Sequence, residues 1–232
     1  MAVTLNGTAA STSFGTATTG GAVGMPAGIV AGELLCALLN NTGGSVSTGA
    51  PAGWSPGVTE SIDGFGTNDT ALFVRAATGT EGATQAFTWA SGECSALVFR
   101  LGGASPTTPI NIASAPGTAT SGSLTAMTCP AVSTTVPNTM VIRLCGVEQA
   151  ATMSDPAGHT PIGFTTANAG ASGGDPAVRA AYQMQASIGT TGTAVFVTTS
   201  GSDRAWITYT LAIAPAAIAQ LPSYTQSSDL YF

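Results

Sequence analysis

The only histidine of the chain, His159, has the side chain best suited to acid–base chemistry. It stands in PAGHTPIG, which begins at Pro156, and nearly the same loop, PAGWSPG, begins at Pro51 with Trp54 at the matching position. A general base needs a partner that positions its ring, and the sequence indicates none. Because glycine and proline set turn geometry while the fourth residue varies, we predict that both loops are structural. His159 is then a candidate contact for a ligand or partner, not a catalytic residue.

Two other patterns have the residue types for chemistry but not the setting. GASGG at 170–174 has the form G-x-S-x-G, which marks a nucleophile only on a sharp strand-to-helix turn; here it lies in a Gly/Ala/Ser-rich stretch. Asp63, Asn68 and Asp69 offer oxygen atoms to calcium, but their spacing is not that of an EF-hand. We therefore predict no catalytic residue, no metal site and no cofactor, and a protein that is not an enzyme.

Tryptophan side chains can stack on sugar rings, and the chain has three of them. Trp89 shares a strand face with Phe87, and Trp206 lies in the last predicted strand, so we expect both in a core or an interface. Trp54 stands at a loop tip, and exposed aromatic rings often mark binding sites. Trp54 is therefore the best tryptophan candidate for a ligand or partner contact.

The charge of the chain argues against whole classes of partner. Charged residues make up 7% of the sequence, the net charge is −6, and all five basic residues are scattered arginines. Phosphate groups bind clustered positive charge, so we expect neither nucleic acid nor a membrane as partner. A mean hydropathy of +0.33 with so few charges suits a surface that neighbouring molecules largely cover.

The four cysteines are Cys36, Cys94, Cys129 and Cys145, and none forms a CxxC pair. The start, MAVTLNGTAAST, lacks the features of a signal peptide, so a reducing compartment is expected. We predict small buried hydrophobic side chains, with two disulfides as the alternative that an even count leaves open.

An internal repeat is the strongest feature of the sequence. ALFVRAATGTEGATQAFTWASG, at 71–92, aligns without a gap on AAYQMQASIGTTGTAVFVTTSG, at 180–201, which places Ala71 on Ala180 and Phe87 on Phe196. The strands ELLCALL and TMVIRLC, the PAG loops and the strands SALVFRLGG and AWITYTLAI match in the same order. Blocks that recur in one order indicate two copies of one unit.

Alternation of apolar and polar residues predicts that each copy is built of antiparallel strands with one inward face. Arg143 is expected to face solvent, and Arg100 and Thr210 to lie outside. The residues expected to face inward are Leu34, Cys36, Leu38, Leu97, Phe99 and Leu101 in the first copy and Met140, Ile142, Leu144, Ile207, Tyr209 and Leu211 in the second. No segment shows a convincing apolar spacing of 3.6 residues, so no helix is predicted.

These patterns predict an all-β protein of two tandem antiparallel β-sandwich repeats, at 1–103 and 104–215, followed by a C-terminal arm at 216–232. On the strand of Phe196 the opposite face carries Val195 and Val197, where the first copy has Ala86 and Thr88. An apolar face present only in the second copy is expected if that half docks on a partner.

The layout AGELL (31–35), PAGW (51–54), ALFVRAA, FTW and ALVFRLGG resembles a group of tailed-bacteriophage virion proteins. Those proteins carry one or two jelly-roll-like sandwiches with a P-[AST]-G-W loop after an AG-[DE]-LL strand. The second copy departs from this pattern at PNTMV and PAGH, so its place rests on the internal repeat. The resemblance implies a non-enzymatic structural role, such as a capsid decoration (cement) protein or a head or tail fibre component.

The same resemblance implies the partners and the location. The partners are other virion proteins of the capsid or tail and copies of the chain itself, and the protein resides in the virion after assembly in the host cytoplasm. The competing hypothesis is a carbohydrate-binding module that recognises host surface polysaccharide through loop aromatics such as Trp54.

The C-terminal arm supplies the remaining candidate contacts. Its polar stretch is poor material for a helix or a core, yet it closes with Leu230, Tyr231 and Phe232. Aromatic side chains supply most of the anchoring energy at protein interfaces, so we expect these residues to dock in a groove on a neighbouring subunit.

Overall fold

The protein is an all-β structure of antiparallel strands, as the sequence predicts. The computed structural model describes residues 2–43, 50–58, 61–62, 68–122, 126–149, 152–167, 175–198 and 204–217. Within these ranges there is no helix. The prediction of two antiparallel β-sandwiches is confirmed, and the free state of the cysteines favours the expectation of buried thiols over disulfides.

The first repeat forms a seven-stranded sheet in the order β1-β7-β3-β6-β4, with β2 paired to β7 and β5 paired to β6. Its strands are β1 (Thr4–Leu5), β2 (Ala10–Gly24), β3 (Leu34–Asn41), β4 (Ser55–Pro56), β5 (Ser61–Ile62), β6 (Asp69–Ala76) and β7 (Thr84–Gly102). The long strand β7 pairs with β3 only from Cys94 onward, whereas its earlier part pairs with the end of β2. The end of β2 and the earlier part of β7 form the β2–β7 ribbon, which covers one face of the sheet.

The second repeat forms a six-stranded sheet in the order β13-β14-β12-β17-β8, with β9 also paired to β17. Two small pairs, β10 with β16 and β11 with β15, accompany it. Its strands are β8 (Ile110–Ala113), β9 (Gly117–Gly122), β10 (Met127–Cys129), β11 (Ser133–Thr134), β12 (Thr139–Val147), β13 (Thr160–Thr166), β14 (Ala177–Gln185), β15 (Gly189–Thr190), β16 (Ala194–Phe196) and β17 (Arg204–Ile213).

The inward faces of the two sheets pack against each other in one shared core. All the residues predicted to face inward lie there, and further members include Leu72, Val178 and Ala180. Burying a leucine, isoleucine or phenylalanine side chain contributes about 1.5–3 kcal/mol, so this core is the main apolar contribution to holding the repeats together. The alternation of residues correctly predicted which side chains of these strands face inward. The structure adds that the inward face of each sheet is covered by the sheet of the other repeat.

Each sheet also buries its opposite face under a smaller layer of its own repeat. In the first repeat, Phe87 and Trp89 of the β2–β7 ribbon pack on Leu35, Ala37 and Leu39 in a first outer cluster. In the second repeat, the β10–β16 pair plays this part, with Phe196 among the residues that form a second outer cluster with β12 and β14. The order of layers is therefore ribbon, first sheet, second sheet and β10–β16 pair.

Polar side chains of the first repeat bind carbonyl groups of the second at one end of the shared core. The side-chain amide of Asn40 donates to the carbonyls of Val147 at 2.8 Å and Ala177 at 3.3 Å. The hydroxyl of Ser95 donates to the carbonyl of Pro176 at 2.6 Å. Since all these groups are buried, the bonds fix the register of one repeat on the other.

Arg143 does not face solvent, and that prediction was wrong: the residue is 0% exposed. It lies on the outer face of β12, as the alternation requires, but the small strands and loops of the second repeat cover that face. Thr210 is also buried there, and it accepts a hydrogen bond from the guanidinium. Arg100 is half-buried and bound to Glu33 at 2.8 Å, so an outward position does not amount to exposure in this fold.

The ungapped alignment of the repeats holds in one strand and fails in another. Phe87 and Phe196 lie in the two outer clusters, as equivalent residues should. Ala71, however, lies in the first outer cluster, whereas Ala180 lies in the shared core. A shift of one residue turns a side chain to the other face of a strand, so β6 and β14 match with a slip that the sequence comparison did not include.

Candidate functional site

The two PAG turns, residues 51–54 and 156–159, have the same backbone conformation. The amide of Trp54 donates to the carbonyl of Pro51 at 3.0 Å, and the amide of His159 donates to that of Pro156 at 3.1 Å. Gly53 has φ +83° and Gly158 has φ +75°, the left-handed region that glycine adopts without strain. This hydrogen bond with glycine in the third position is typical of a type II turn. The repeated sequence therefore encodes one turn, and the fourth residue is free to vary.

Trp54 is buried, contrary to the expectation of an exposed aromatic ring. It is 6% exposed, and its ring centroid lies 5.3 Å from that of Phe87 in an edge-to-face contact. The side chain thus turns back from the loop and closes the first outer cluster. Trp89 and Trp206 are buried as well, as the sequence predicts. None of the tryptophans therefore offers a flat, open ring to a ligand.

His159, at the equivalent position, stays half-exposed and lines a groove. Its Nδ1 lies 3.1 Å from the carbonyl oxygen of Ala157 in its own turn. A carbonyl only accepts hydrogen bonds, so Nδ1 carries the proton and Nε2 has a free lone pair. Nε2 is buried and has no hydrogen-bond partner among the described residues. Burial lowers the pKa of His159, so the neutral ring is favoured further.

The groove lies between the second PAG turn and strand β16. It has a volume of about 560 Å³, and its lining includes His159, Pro156, Thr191 and two valines, Val195 and Val197. The valines are 36% and 38% exposed, among the few large apolar side chains of the described ranges that solvent reaches. The groove therefore has apolar walls beside the ring of His159.

The edge of β16 opposite β10 faces the segment that leads into the second PAG turn. Val197 forms two backbone hydrogen bonds with Ser154. The amide of Ser154 donates to the carbonyl of Val197 at 2.7 Å, and the amide of Val197 donates to the carbonyl of Ser154 at 3.4 Å. Amide and carbonyl groups two residues apart on a strand point the same way, so those of Val195 point away from β10, with which β16 pairs. The chain turns at Pro156 just after Ser154, and in the described residues the pairing on this edge is limited to the bridge between Ser154 and Val197.

Two arginines hold the groove in shape. Arg179 of β14 forms a two-pronged contact with Asp155, whose Oδ1 accepts from Nε at 2.6 Å, and so fixes the start of the turn. Arg143 donates to the carbonyls of Pro130 at 3.0 Å, Gly192 at 3.0 Å and Thr191 at 3.3 Å. It thereby anchors the segment that enters β16.

The sequence analysis did not identify the groove's supports, Asp155, Arg179 and Arg143. The only signal for Asp155 was that it precedes the second PAG turn where the first has Ala50. Nothing in the local pattern marked Arg143 as an anchor, because its partners are backbone carbonyls distant in sequence.

The other chemically reactive side chains serve internal contacts. Arg75 pairs with Glu81, Arg100 with Glu33 and Arg204 with Glu148. The four cysteines are free and buried, and burial raises the pKa of their thiols, that of Cys129 to about 12. Thiols held in this form are poor nucleophiles.

Several sequence candidates lie outside the described residues, namely GASGG at 170–174, Asp63, and the arm residues Leu230, Tyr231 and Phe232. Asn68 and Asp69 are described, and both are fully buried. Among the side chains that the structure describes, no group of three or more His, Cys, Asp or Glu residues could hold a metal ion.

Compared with protein-family models, curated proteins and solved structures, the chain matches none of them. In the part of the chain that the structure describes, there is no helix with the length and apolar character to cross a membrane.

Proposed function

We propose that this protein is a non-enzymatic structural component of a bacteriophage virion, a capsid decoration protein or a head or tail fibre component, that acts through protein–protein contacts. Its partners are other virion proteins and copies of itself. It resides in the virion and joins it during assembly in the host cytoplasm.

The observation that carries the proposal is the apolar strip of the second repeat. Val195 and Val197 are exposed on the outermost strand, whereas the first repeat has Ala86 and Thr88 at the aligned positions. A chain with 7% charged residues has little else to keep such a strip soluble. Neighbouring exposed apolar side chains of this kind favour an interaction surface on the second repeat.

The use of the reactive side chains also supports a structural role. The described ion pairs join residues within a repeat and shape loops, and Arg143 is surrounded by carbonyl groups. No carboxylate hydrogen-bonds to the ring of His159 among the described residues, so nothing there orients it as a general base. Charged side chains whose contacts hold loops in place are what we expect of a stable structural component.

The carbohydrate-binding alternative loses the residue on which it depended. Trp54 is packed against Phe87, and every aromatic side chain within the described ranges is at least partly buried. Stacking on sugar requires an open ring face, and Trp54, Trp89 and Trp206 are all buried.

Locating the protein on particles tests the proposal. Purified phage particles are labelled with antibody against the chain, and images of particles with and without the protein are compared. We expect regular extra density, and we expect it to persist at molar salt, because scattered arginines provide little salt-sensitive attraction. Absence of the protein from purified particles, when the infected cell contains it, would contradict the proposal.

A further inference from the structure

Sulfur-containing side chains meet in the second outer cluster, between strands β10 and β12. Met127 and Cys129 lie two residues apart on β10, and both are buried, so they share one face of that strand. This face is turned towards Cys145 of β12, whose Sγ lies 3.7 Å from the Sδ of Met127. The two thiols and the thioether are fully buried. No spacing in the sequence indicates this cluster, because the two cysteines belong to different strands.

Cys129 also lies close to Cys145. Its Sγ is 3.7 Å from the carbonyl oxygen of Leu144, the residue before Cys145. The two thiols are near enough that the charge of Cys129 acts to raise the pKa of Cys145. In the first repeat, by contrast, Cys36 lies in the shared core and Cys94 in the first outer cluster, on opposite faces of the first sheet. The fold therefore brings two thiols together in the second repeat and keeps them apart in the first.

Sulfur donors of this kind select a soft metal ion. Thiolate and thioether ligands favour Cu(I), zinc and iron–sulfur clusters. Structural zinc takes four ligands and iron–sulfur clusters take four cysteines, whereas two or three sulfur atoms satisfy Cu(I). With metal–sulfur bonds of about 2.3 Å, two ligands of one ion stand about 3.7 Å apart in a bent arrangement and about 4.6 Å apart in a linear one. The separation of the Met127 and Cys145 sulfur atoms lies within this range.

The buried charge of Arg143 suits such an ion. Arg143 lies two residues from Cys145 on the same face of β12, and it is 0% exposed. Its described hydrogen bonds go to carbonyl groups and a hydroxyl, and its Nε is buried without a partner among the described residues. The neighbouring Arg179, opposite Cys145 on β14, is already paired with Asp155. A buried cation without a counter-charge is costly, and Cu(I) held by two thiolates supplies one negative charge.

We propose that the second repeat binds one Cu(I) ion between the Sγ atoms of Cys129 and Cys145, with the Met127 thioether as the third ligand and Arg143 as the counter-charge. Each thiol releases its proton to solvent as its bond to copper forms, because a coordinating metal ion deprotonates a thiol. Neither copper nor sulfur changes its oxidation state. The ion ties the short strand β10 to the sheet, and this structural role goes beyond the proposed function and does not depend on it.

The small size of the covering layer provides a way in for the ion. Strand β10 belongs to a two-stranded pair with three residues in each strand. A pair of this size has few contacts to hold it down, so local opening exposes the sulfur atoms without unfolding the main sheet.

Titration of the full chain with Ag(I) tests the site, because Ag(I) shares the preference for sulfur and is not reduced or oxidised under these conditions. The protein is kept reduced without added thiols, and bound ions are counted by native mass spectrometry. We expect one ion per chain and a higher melting temperature, since the ion binds the folded state. Cys145→Ala should lose both the ion and the rise in melting temperature. The matched control, Cys36→Ala, removes an equally buried thiol of the first repeat and should keep both.

X-ray absorption of protein loaded anaerobically with Cu(I) identifies the ligands. We expect a first shell of sulfur alone at about 2.3 Å, and Met127→Leu should bind the ion more weakly and lose one sulfur from that shell. Circular dichroism confirms that each variant is folded; if Cys145→Ala is not, the absorption spectra of the native protein and of Met127→Leu decide. Nitrogen or oxygen ligands, equal binding by Cys145→Ala and Cys36→Ala, or no bound ion at all would overturn the inference and leave the proposed function standing.

Discussion

Glu93 in the first repeat and Asp175 in the second bring two carboxyl groups near each other across the interface between repeats. Asp175 is 5% exposed. Burial, and then the charge of Asp175, raise the pKa of Glu93 above its ordinary value. Two carboxylates that lie close together repel each other, so this contact favours the protonated form of Glu93.

Removing this proton-dependent contact should change how stability varies with pH. A pKa raised in the folded state gives stability that is present below the unfolded value, about 4.3, and lost as pH rises through the folded value. We expect the melting temperature of the native protein, relative to that of Glu93→Gln, to fall between pH 4 and pH 8. A constant difference across this range would show that Glu93 does not hold the proton.

Comparing the two proteins is necessary because other carboxylates act in the opposite direction. At Glu33 burial raises the pKa, but hydrogen bonds from Arg100, Asn6 and Val30 outweigh it and lower the pKa overall. Its contribution is therefore lost as pH falls, in both proteins alike.

The polar contacts of Asn40 should matter to the union of the repeats. Asn40→Ala leaves the carbonyls of Val147 and Ala177 without this donor in a buried setting, and we expect a loss of about 2 kcal/mol in the free energy of unfolding by urea. The matched control is Asn111→Ala, whose bonds to Thr135 are exposed. That change should cost about 0.5 kcal/mol or less. Equal losses would mean that burial of the contact is unimportant.

Arg143 should be a large contributor to stability despite having no acidic partner among its hydrogen bonds. Arg143→Ala removes the donor shared by the carbonyls of Pro130, Thr191 and Gly192, and we expect a loss of about 3–5 kcal/mol. Arg75→Ala, which breaks a partly exposed pair with Glu81 at 3.4 Å, should cost about 1 kcal/mol at most. Chemical denaturation measures the free energy of unfolding of both variants and checks this order. A smaller loss for Arg143→Ala than for Arg75→Ala would contradict the prediction.

The second PAG turn can be tested at its glycine. A Cβ atom at Gly158 would meet no atom within 4 Å, so the φ of +75° is the main obstacle to a substitution there. Gly158→Val should therefore cost about 1–3 kcal/mol through backbone strain. Gly82→Ala, in a position without positive φ, should change stability by about 0.5 kcal/mol or less. Thermal melting distinguishes these results, and an unchanged Gly158→Val would argue against the type II turn.

Trp54 should behave as a core residue, not as a sugar platform. Trp54→Ala opens a cavity beside Phe87, and we expect a loss of about 3–5 kcal/mol. Met184→Ala, at a residue 46% exposed, is the control and should have little effect. The native protein and the Trp54→Ala variant are both applied to a glycan array. We expect no glycan that binds the native protein but fails to bind a variant that is still folded. Such selective loss would restore the carbohydrate hypothesis.

The sequence by itself determined the class of fold, the faces of the main strands and the PAG turns. Alternation placed Ile142, Leu144 and Phe99 on inward faces because side-chain direction along a strand is a local property with a period of two. The PAG turns were equally readable, since Gly53 and Gly158 are needed for a positive φ whatever surrounds them. The buried cysteines followed from their residue type and the absence of a paired spacing.

Only the tertiary structure decided what covers each face. Arg143 and Trp54 were expected to be exposed to solvent. Instead, loops of the second repeat enclose Arg143, and Trp54 packs in the first outer cluster. The slip between Ala71 and Ala180 was equally hidden, because one residue of register leaves composition unchanged but reverses the face. Burial depends on contacts between segments far apart in the chain, and the period of a strand contains no information about them. The groove at His159 arises in the same way, from a turn, a distant strand edge and two arginines that the fold brings together.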